Sequence, residues 1–326
     1  GILIGQLMAA SIIVMFMDEL IQKGWGLGSG ISLFIACGVS QQILWSLFSP
    51  LPAGDGGSIG IVPFIIQNIQ LGMGDFADVF FRSNQLPSIF GLLLTVGVLL
   101  ILVYTQGMKV EIPIVSTKYR GFAATYPIKL MYVSNIPVIL ASALTANALF
   151  IGQMLWSQLN PRNASPLFNI LAQYDPTSPG TPIGGIVYYI TPPRGLDLLA
   201  LDPLRGVLYV LFMIGIVVVF GKLWVELGGL SSKKAAQNLL DADVVIPGFR
   251  RSNKPVEMLL NKYIPSVTIL GSVILGLIAG VSDILGVFGS GIGILLTVDI
   301  LINYYNQLVR EKVEMVMPRL GAWLGR

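Results

Sequence analysis

Residues 109–147 read KVEIPIVSTKYRGFAATYPIKLMYVSNIPVILASALTAN, and the rest of the chain is organised around this stretch. Its first part is polar and basic, with the cations Lys109, Lys118, Arg120 and Lys129 set against the single acid Glu111. From residue 136 it becomes the front half of an apolar helix that carries one amide, Asn147. Loops rich in Lys and Arg remain on the cytoplasmic side of a membrane. The stretch therefore predicts a cytoplasmic loop that leads directly into a membrane span.

The composition indicates a membrane protein. Apolar residues make up 54% of the chain, charged residues only 11%, and the mean hydropathy is +0.77. A soluble domain carries about 25% charged residues. The 37 glycines and 19 prolines suit closely packed or broken spanning helices. The absence of histidine removes the commonest metal ligand and general base, and a single cysteine excludes a disulfide framework.

Seven stretches are long enough to span a bilayer, which requires about 20 apolar residues. They are residues 2–17, 31–48, 86–104, 136–155, 206–225, 264–281 and 287–308. A shorter apolar run, 59–71, contains Pro63 and is expected to be interfacial or re-entrant. The predicted fold is thus all-α, a polytopic helical bundle with seven spans.

The distribution of charge predicts the orientation of these spans. Seven alternating spans divide the loops into two sets, and 16 of the 20 Lys and Arg residues fall in one set. By the positive-inside rule this set is cytoplasmic. It comprises Lys23 in the connection 18–30, Lys222 at the end of the fifth span, the loops 105–135 and 226–263, and the tail 309–326. The connections 50–85 and 156–205 are then external, and irregular structure is expected in both. We expect a multi-pass protein of the cell membrane with a cytoplasmic C-terminus.

Two short features leave alternatives open. Gly28-Ser29-Gly30-Ile31 opens the second span and Gly289-Ser290-Gly291-Ile292 opens the seventh, from opposite sides of the membrane. This arrangement is typical of an inverted repeat, although four residues also match by chance. Asn163-Ala164-Ser165 is a glycosylation sequon on the external side, and a single tripeptide is a weak signal.

Polar groups within spans are functional candidates. Asn147 serves either gating or helix–helix hydrogen bonding, and the residues alone do not decide between these roles. Asp299 forms a polar stripe with Asn303 and Asn306, which favours a structural role. No zinc-ligand spacing, nucleophile elbow or phosphate loop is present. The sequence therefore predicts neither an enzyme nor a metal or cofactor site.

Three long motifs resemble the SecY family of protein-conducting channels, and its archaeal branch in particular. They are GSGISLFIACGVSQ (28–41), TKYRGFAATYPIKLMYVSNIPVIL (117–140) and VVIPGFRRSNKPVEMLLNKYIP (244–265). The resemblance implies a fold of ten spans in two inverted halves. Residues 1–49 then hold the last two spans of the first half, and residues 86–308 the five spans of the second. The resemblance thus implies that the first three spans of the fold are missing, either because the chain is a fragment or because they lie on another chain. The opening GILIGQLM, which lacks an initiator Met, also suggests a chain whose beginning is missing.

The resemblance also implies a pore ring and a lateral gate. The family closes its pore with aliphatic side chains, and the motifs place Ile31, Ile35, Ile139 and Leu295 in this ring. In the last span the match to Leu295 is the weakest of the four, because Leu296 or Ile292 would fit after a small shift. A hydrophobic constriction blocks ions by dewetting. Asn147 matches the polar residue of the gate through which apolar segments leave for the lipid.

The implied partners follow from the basic loops and from the family. Lys118, Arg120, Lys129 and Arg250 match positions that dock the ribosome or other cytosolic partners, and the neighbouring Arg251 is included with them. The family's SecE-type and Sec-beta or SecG-type small membrane subunits are the implied permanent partners. Nascent chains with signal sequences and membrane lipids complete the set. The function expected is a passive pore for secretory polypeptides. The alternative is a secondary transporter with an inverted-repeat fold, which requires a cluster of charged groups at the midplane.

Overall fold

The computed structural model describes most of the chain. The described residues are 2–25, 29–53, 57–71, 79–82, 86–116, 123–130, 133, 135–175, 178–193, 195–241, 244–245 and 253–316. The chain divides into two compact units, one formed by Gly1–Met73 with Gly293–Arg326 and the other by Gly74–Ile292.

The architecture is mostly helical. In chain order the helices are α1 (Ile2–Leu20), α2 (Gly30–Phe48), α3 (Ile61–Leu71), α4 (Ile89–Gly107), α5 (Ile136–Leu159), α6 (Pro166–Leu171), α7 (Ile186–Ile190), α8 (Leu196–Leu201), α9 (Pro203–Leu227), α10 (Ser232–Asp241), α11 (Asn253–Ile284) and α12 (Gly291–Val316). In the described part of the chain, seven of them are long and apolar enough to cross a membrane: α1, α2, α4, α5, α9, α11 and α12. The predicted number of spans is therefore confirmed.

The first unit is tied together where α2 begins. After α1 the chain makes a π-helical turn, Ile21–Trp25, before α2 starts at Gly30. The carboxylate of Asp18 accepts hydrogen bonds at this start, and the hydroxyl of Tyr304 on α12 donates to the Ser29 carbonyl at 2.7 Å. The apolar run around Pro63 forms α3, which has 11 residues and is too short to span.

The second unit is built on close contact between α9 and α11. A Cβ added to Gly276 of α11 would lie 2.8 Å from the Cα of Ile214 and 3.2 Å from the Met213 carbonyl oxygen, both on α9. In a membrane, small residues of this kind let helix backbones approach until dispersion forces hold them. Half of the spanning segment of α11 is buried, so this helix is the centre of the unit.

The two basic loops form one folded body, which we call the hairpin module. Strand β1 (Lys109–Ser116) pairs antiparallel with β2 (Ala123–Lys129), and its end pairs with Val244–Val245, the last strand among the described residues. The hairpin packs on α10 and on the first turns of α11. The shared core contains Ile112, Ile128, Val133, Val225, Ala235, Ala236, Leu239, Val256, Leu260, Ile264 and Val267. Helix α11 therefore begins well before the predicted span at 264, because its first turns also bury apolar side chains.

The connection 156–205 is ordered by amide side chains. Strands Gln173–Asp175 and Ser178–Gly184, the third and fourth of the chain, form a second sheet. Asn163 has a left-handed backbone with φ of 54°, accepts from the Trp156 indole N–H at 2.8 Å and donates to the Tyr174 carbonyl at 3.1 Å. Burial raises the pKa of Tyr174, whose hydroxyl remains a donor to the Leu149 carbonyl at 3.2 Å. The amide nitrogen of Asn163, to which a glycan would be attached, therefore already donates a hydrogen bond within the fold.

Replacing Asn163 with alanine is expected to loosen this connection. The change removes the partner of the Trp156 indole and the donor to Tyr174, and an unsatisfied buried group costs about 1–3 kcal/mol. Limited proteolysis of the purified protein should then cut within 160–184 faster. The control is Ser157→Ala, since this exposed hydroxyl only donates to the carbonyl of Met154 on its own helix. Equal cleavage rates in the two variants would contradict the structural role of Asn163.

Candidate functional site

Ile31 and Ile35 lie on the first two turns of α2. They are four residues apart, so their side chains share one face of the helix. Ile31 is 46% exposed and Ile35 is 36% exposed. Both remain accessible although α2 is the helix whose start is held by Asp18, Ser29 and Tyr304. Branched side chains presented in this way from a fixed helix are suitable parts of an apolar constriction.

Ile139 lies in the first turn of α5, immediately after the hairpin module. Asn135 precedes this helix and is buried, and Pro137 occupies its first turn. Val133 belongs to the core of the hairpin module, so the start of α5 is anchored in that core. Ile139 itself is 38% exposed. This residue therefore combines a rigid attachment with an accessible side chain.

The structure distinguishes among the three candidates for a ring position on α12. Leu295 is completely buried, with 0% of its surface exposed. Leu296 and Ile292 are both partly exposed and stand one turn apart on the same helix face. A side chain without accessible surface lines no pore. Burial therefore favours Leu296 or Ile292 over Leu295.

Asn147 is exposed in the middle of α5. Two polar neighbours on the helix are satisfied locally, because Ser142 donates to the Ile139 carbonyl at 2.8 Å and Thr145 to the Ala141 carbonyl at 2.9 Å. Within the described residues the side chain of Asn147 has no hydrogen-bond partner. An amide that enters hydrocarbon unpaired costs several kcal/mol, so Asn147 requires water or another polar group.

Only one of the five predicted partner-binding cations lies within the described residues. Lys129 ends β2, is exposed and stands opposite Lys109, whose ammonium pairs with Glu111 at 2.7 Å. Lys233 and Lys234 on α10 add exposed positive charge to the same module. The other four predicted cations, Lys118, Arg120, Arg250 and Arg251, lie outside the described residues.

Two residues of the predicted polar stripe, Asp299 and Asn303, bind each other on α12. The amide of Asn303 donates to the Asp299 carboxylate at 3.2 Å, one turn along α12. This contact supports the structural interpretation of the stripe. Sequence reasoning missed two other aspartates, Asp18 and Asp283, whose carboxylates accept hydrogen bonds from the starts of α2 and α12. The sequence did contain a signal for this role, because each aspartate lies at the end of the span that precedes a Gly-Ser-Gly-Ile motif.

Comparison with known proteins identifies the family. The SecY family model matches residues 1–305. This chain belongs to the SecY family. It is 41% identical over 329 residues to the protein translocase subunit SecY of Pyrococcus horikoshii and 40% identical over 334 residues to that of Pyrococcus furiosus. These alignments cover 98% and 99% of the chain but 67% and 68% of the relatives, so the chain spans about two thirds of their length.

Solved SecY-type structures share the fold. One described as the structure of a protein conducting channel superposes with a TM-score of 0.74 at 36% identity, covering 95% of this chain and 65% of the other. Sec61 in the canine ribosome-channel complex from the endoplasmic reticulum gives 0.71 at 35%, covering 95% and 64%. The predicted membership and the predicted helical membrane fold are therefore confirmed. The SecY family assignment favours a channel over the alternative of a secondary transporter.

Proposed function

We propose that this chain forms the second half and part of the first half of a protein-conducting pore. The observation that carries the proposal is the exposure of three branched aliphatic side chains, Ile31, Ile35 and Ile139, at motif positions on spanning helices. Such side chains offer a passing polypeptide neither a hydrogen bond nor a charge. A ring of them excludes ions by dewetting. On α12 we assign the ring position to Leu296 in place of Leu295, with Ile292 as the alternative one turn earlier, because both of these side chains are accessible and Leu295 is not.

The proposed pore is passive and multi-pass, with the hairpin module and the C-terminus in the cytoplasm. The excess of Lys and Arg on that side supports the orientation. The driving force for secretory chains comes from a partner, for which we propose the ribosome, since a SecY-type relative is known in a ribosome-channel complex. SecE-type and Sec-beta or SecG-type subunits complete the channel. Apolar segments leave through a lateral gate beside Asn147.

Site-specific photocrosslinking tests the pore. A photoreactive residue replaces Ile139 in the complete channel, and ribosomes stalled on a secretory chain are bound to it. We expect a crosslink to the nascent chain that disappears when its signal sequence is disabled. The control is Leu211 on α9, which is 58% exposed and is expected to face lipid. Crosslinks from Leu211 without crosslinks from Ile139 would mean that the ring is wrongly assigned.

The ribosome proposal predicts a salt-dependent affinity. Lys129→Ala should weaken ribosome binding and reduce the slope of log affinity against log salt by roughly one, the loss of one phosphate contact. The matched control is Lys23→Ala, since Lys23 is already paired with Glu19 in the other unit. Cosedimentation of ribosomes with channel in detergent at several salt concentrations gives both slopes. Identical slopes for Lys129→Ala and the parent would exclude Lys129 from the interface.

A further inference from the structure

We propose that Asp18 and Asp283 are equivalent positioning residues, each of which fixes the start of a pore-lining helix. The two helices, α2 and α12, are those that begin at the repeated Gly-Ser-Gly-Ile motif. This inference rests on the proposed function, because these helices carry the ring residues Ile31 and Leu296. Asp18 and the start of α2 belong to the first unit, and Asp283 and Gly291 belong to the second.

Asp18 closes the start of α2 from the end of α1. Its Oδ1 atom accepts from the Ser29 hydroxyl at 3.0 Å and from the backbone N–H of Ile31 at 3.1 Å. Its Oδ2 atom accepts from the Gln22 side chain at 2.8 Å, which orients the carboxylate. Ser29 makes no capping hydrogen bond of its own to α2. The acid of the preceding span therefore performs the role that an N-cap side chain usually performs.

Asp283 closes the start of α12 from the preceding helix, at the third residue of the motif instead of the fourth. It lies near the end of α11, and its Oδ1 atom accepts from the backbone N–H of Gly291 at 2.8 Å. Its Oδ2 atom accepts from the Tyr209 hydroxyl at 3.0 Å, so a second side chain again orients the carboxylate. In both copies of the motif, one carboxylate oxygen holds the helix start and the other is held by a neighbour.

The motif glycines show the same equivalence. A Cβ on Gly30 would lie 3.2 Å from the Cα of Asp18 and 2.9 Å from the Ile21 side chain. A Cβ on Gly291 would lie 3.2 Å from the backbone nitrogen of Asp283 and 2.8 Å from the Ala279 carbonyl oxygen. Each glycine is buried against the segment that carries the aspartate. The motif therefore specifies a helix start that docks on a preceding acid, and Asp18 and Asp283 belong to the repeated unit.

The physical reason for a carboxylate lies in the helix terminus. The first N–H groups of a helix have no partner within it, and the helix dipole favours negative charge there. Near hydrocarbon, water is a poor substitute for such a partner. Because the N–H held by Asp18 belongs to Ile31 itself, loss of the carboxylate releases a ring residue directly. Fraying of the helix start would displace its side chain from the constriction.

Ion leakage through the idle channel tests this role. The complete channel with its partner subunits is reconstituted into liposomes, and the release of entrapped chloride is measured without a translocating chain. For Asp18→Ala we expect the leak to rise by roughly 5- to 30-fold, the change in frayed population that follows loss of a cap. Asp18→Asn, which retains an acceptor oxygen, should restore most of the seal. Glu19→Ala is the matched control, since Glu19 is exposed and contacts only Lys23 among the described residues.

Asp283→Ala should leak similarly, and Asp197→Ala at the exposed start of α8 should not. Ile31→Gly serves as the reference for a broken ring. If Ile31→Gly leaks and the two aspartate variants remain sealed, the positioning role is overturned while the pore ring stands. If Ile31→Gly is also sealed, the ring assignment fails and the inference fails with it. A leak in Asp18→Ala and Asp283→Ala at unchanged thermal stability and subunit content, reversed by Asn, supports the proposal.

Discussion

Replacing Gly276 with valine is expected to destabilise the second unit strongly. Even a single methyl group at this position would lie 2.8 Å from the Cα of Ile214 and 3.2 Å from the Met213 carbonyl oxygen. Both neighbours are backbone atoms of α9, so no side-chain rotation relieves the clash. Inserting extra methylenes into a packed interior typically costs about 1–3 kcal/mol, and clashes with backbone stand at the upper end.

A larger side chain at position 276 would also force α9 and α11 apart, which has further effects. Helices in a bilayer associate through close packing, because lipid tails are as apolar as the side chains they would replace. Moving the backbones apart therefore removes the main force between α9 and the central helix α11. It also disturbs the hairpin module, whose core includes Val225 of α9 and Leu260 of α11. We expect Gly276→Ala to lower the thermal midpoint of the purified channel and Gly276→Val to lower it further.

Two glycines on the same helices provide controls. A Cβ added to Gly215 of α9 would have nothing within 4 Å, and one added to Gly280 of α11 would make only ordinary contacts, the nearest at 3.4 Å. Gly215→Ala and Gly280→Ala should therefore leave the thermal midpoint nearly unchanged. Thermal unfolding monitored by loss of the monodisperse peak in detergent measures all four variants. A Gly276→Ala channel as stable as Gly215→Ala would show that the helices tolerate a wider spacing.

The spans were predictable from sequence because their signal is local. A run of about 20 apolar residues identifies a spanning helix without knowledge of its neighbours. The run from Ile136 illustrates this: apolar composition predicts a span to 155, and the helix Ile136–Leu159 contains it. The additional turn ends at Asn160, whose amide is held by Asn169 at 2.8 Å. Hydropathy carries no information about such a hydrogen bond between side chains, so the end of the helix was not predicted.

The hairpin module was not predictable as one body because its core is non-local. Alternation of polar and apolar residues from Lys109 to Val115 is a signal for a strand, but basic composition made the segment read as a loop. The partners of Ile112 and Ile128, including Ala236 and Leu260, lie more than a hundred residues away. The role of Asp18 was not predictable for the same reason. Its carboxylate accepts a hydrogen bond from Ile31 across a turn, and hydropathy does not describe such a contact.

Motif matching alone does not decide which residue of α12 is predicted for the ring. Alignment by motif leaves a shift of one residue open, and in a helix such a shift turns a side chain by about 100°. Leu295 and Leu296 are equally apolar, so neither composition nor chemistry separates them. Burial separates them, because Leu295 is enclosed while Leu296 is accessible. The three isoleucines predicted for the other ring positions are all accessible, and their place in a ring stays a prediction.

The exposure of Asn147 supports the proposal that this residue lies at the lateral gate and keeps the closed contact between the gate helices, the seam, weak. Its amide is exposed on α5 without a hydrogen-bond partner in the described part of the chain. Across a closed seam, a hydrogen bond to such an amide is worth about 0.6 kcal/mol on average and at most about 1.7 kcal/mol. A leucine of similar size, withdrawn from the water of an open pore when the seam closes, gains about 1.5–3 kcal/mol. Burial therefore outweighs the hydrogen bond.

Asn147→Leu is accordingly expected to stabilise the closed gate and to raise the hydrophobicity that a signal sequence needs. A net gain of about 1 kcal/mol lowers the open population roughly fivefold, so translocation of a marginal signal should fall by that factor. Reporters whose signals differ stepwise in leucine and alanine content measure the threshold. Thr145→Val is the matched control, since the Thr145 hydroxyl is satisfied by the Ala141 carbonyl on the same helix. A lowered threshold in Asn147→Leu would mean that the amide bond holds the seam shut, and an unchanged one would remove Asn147 from the gate.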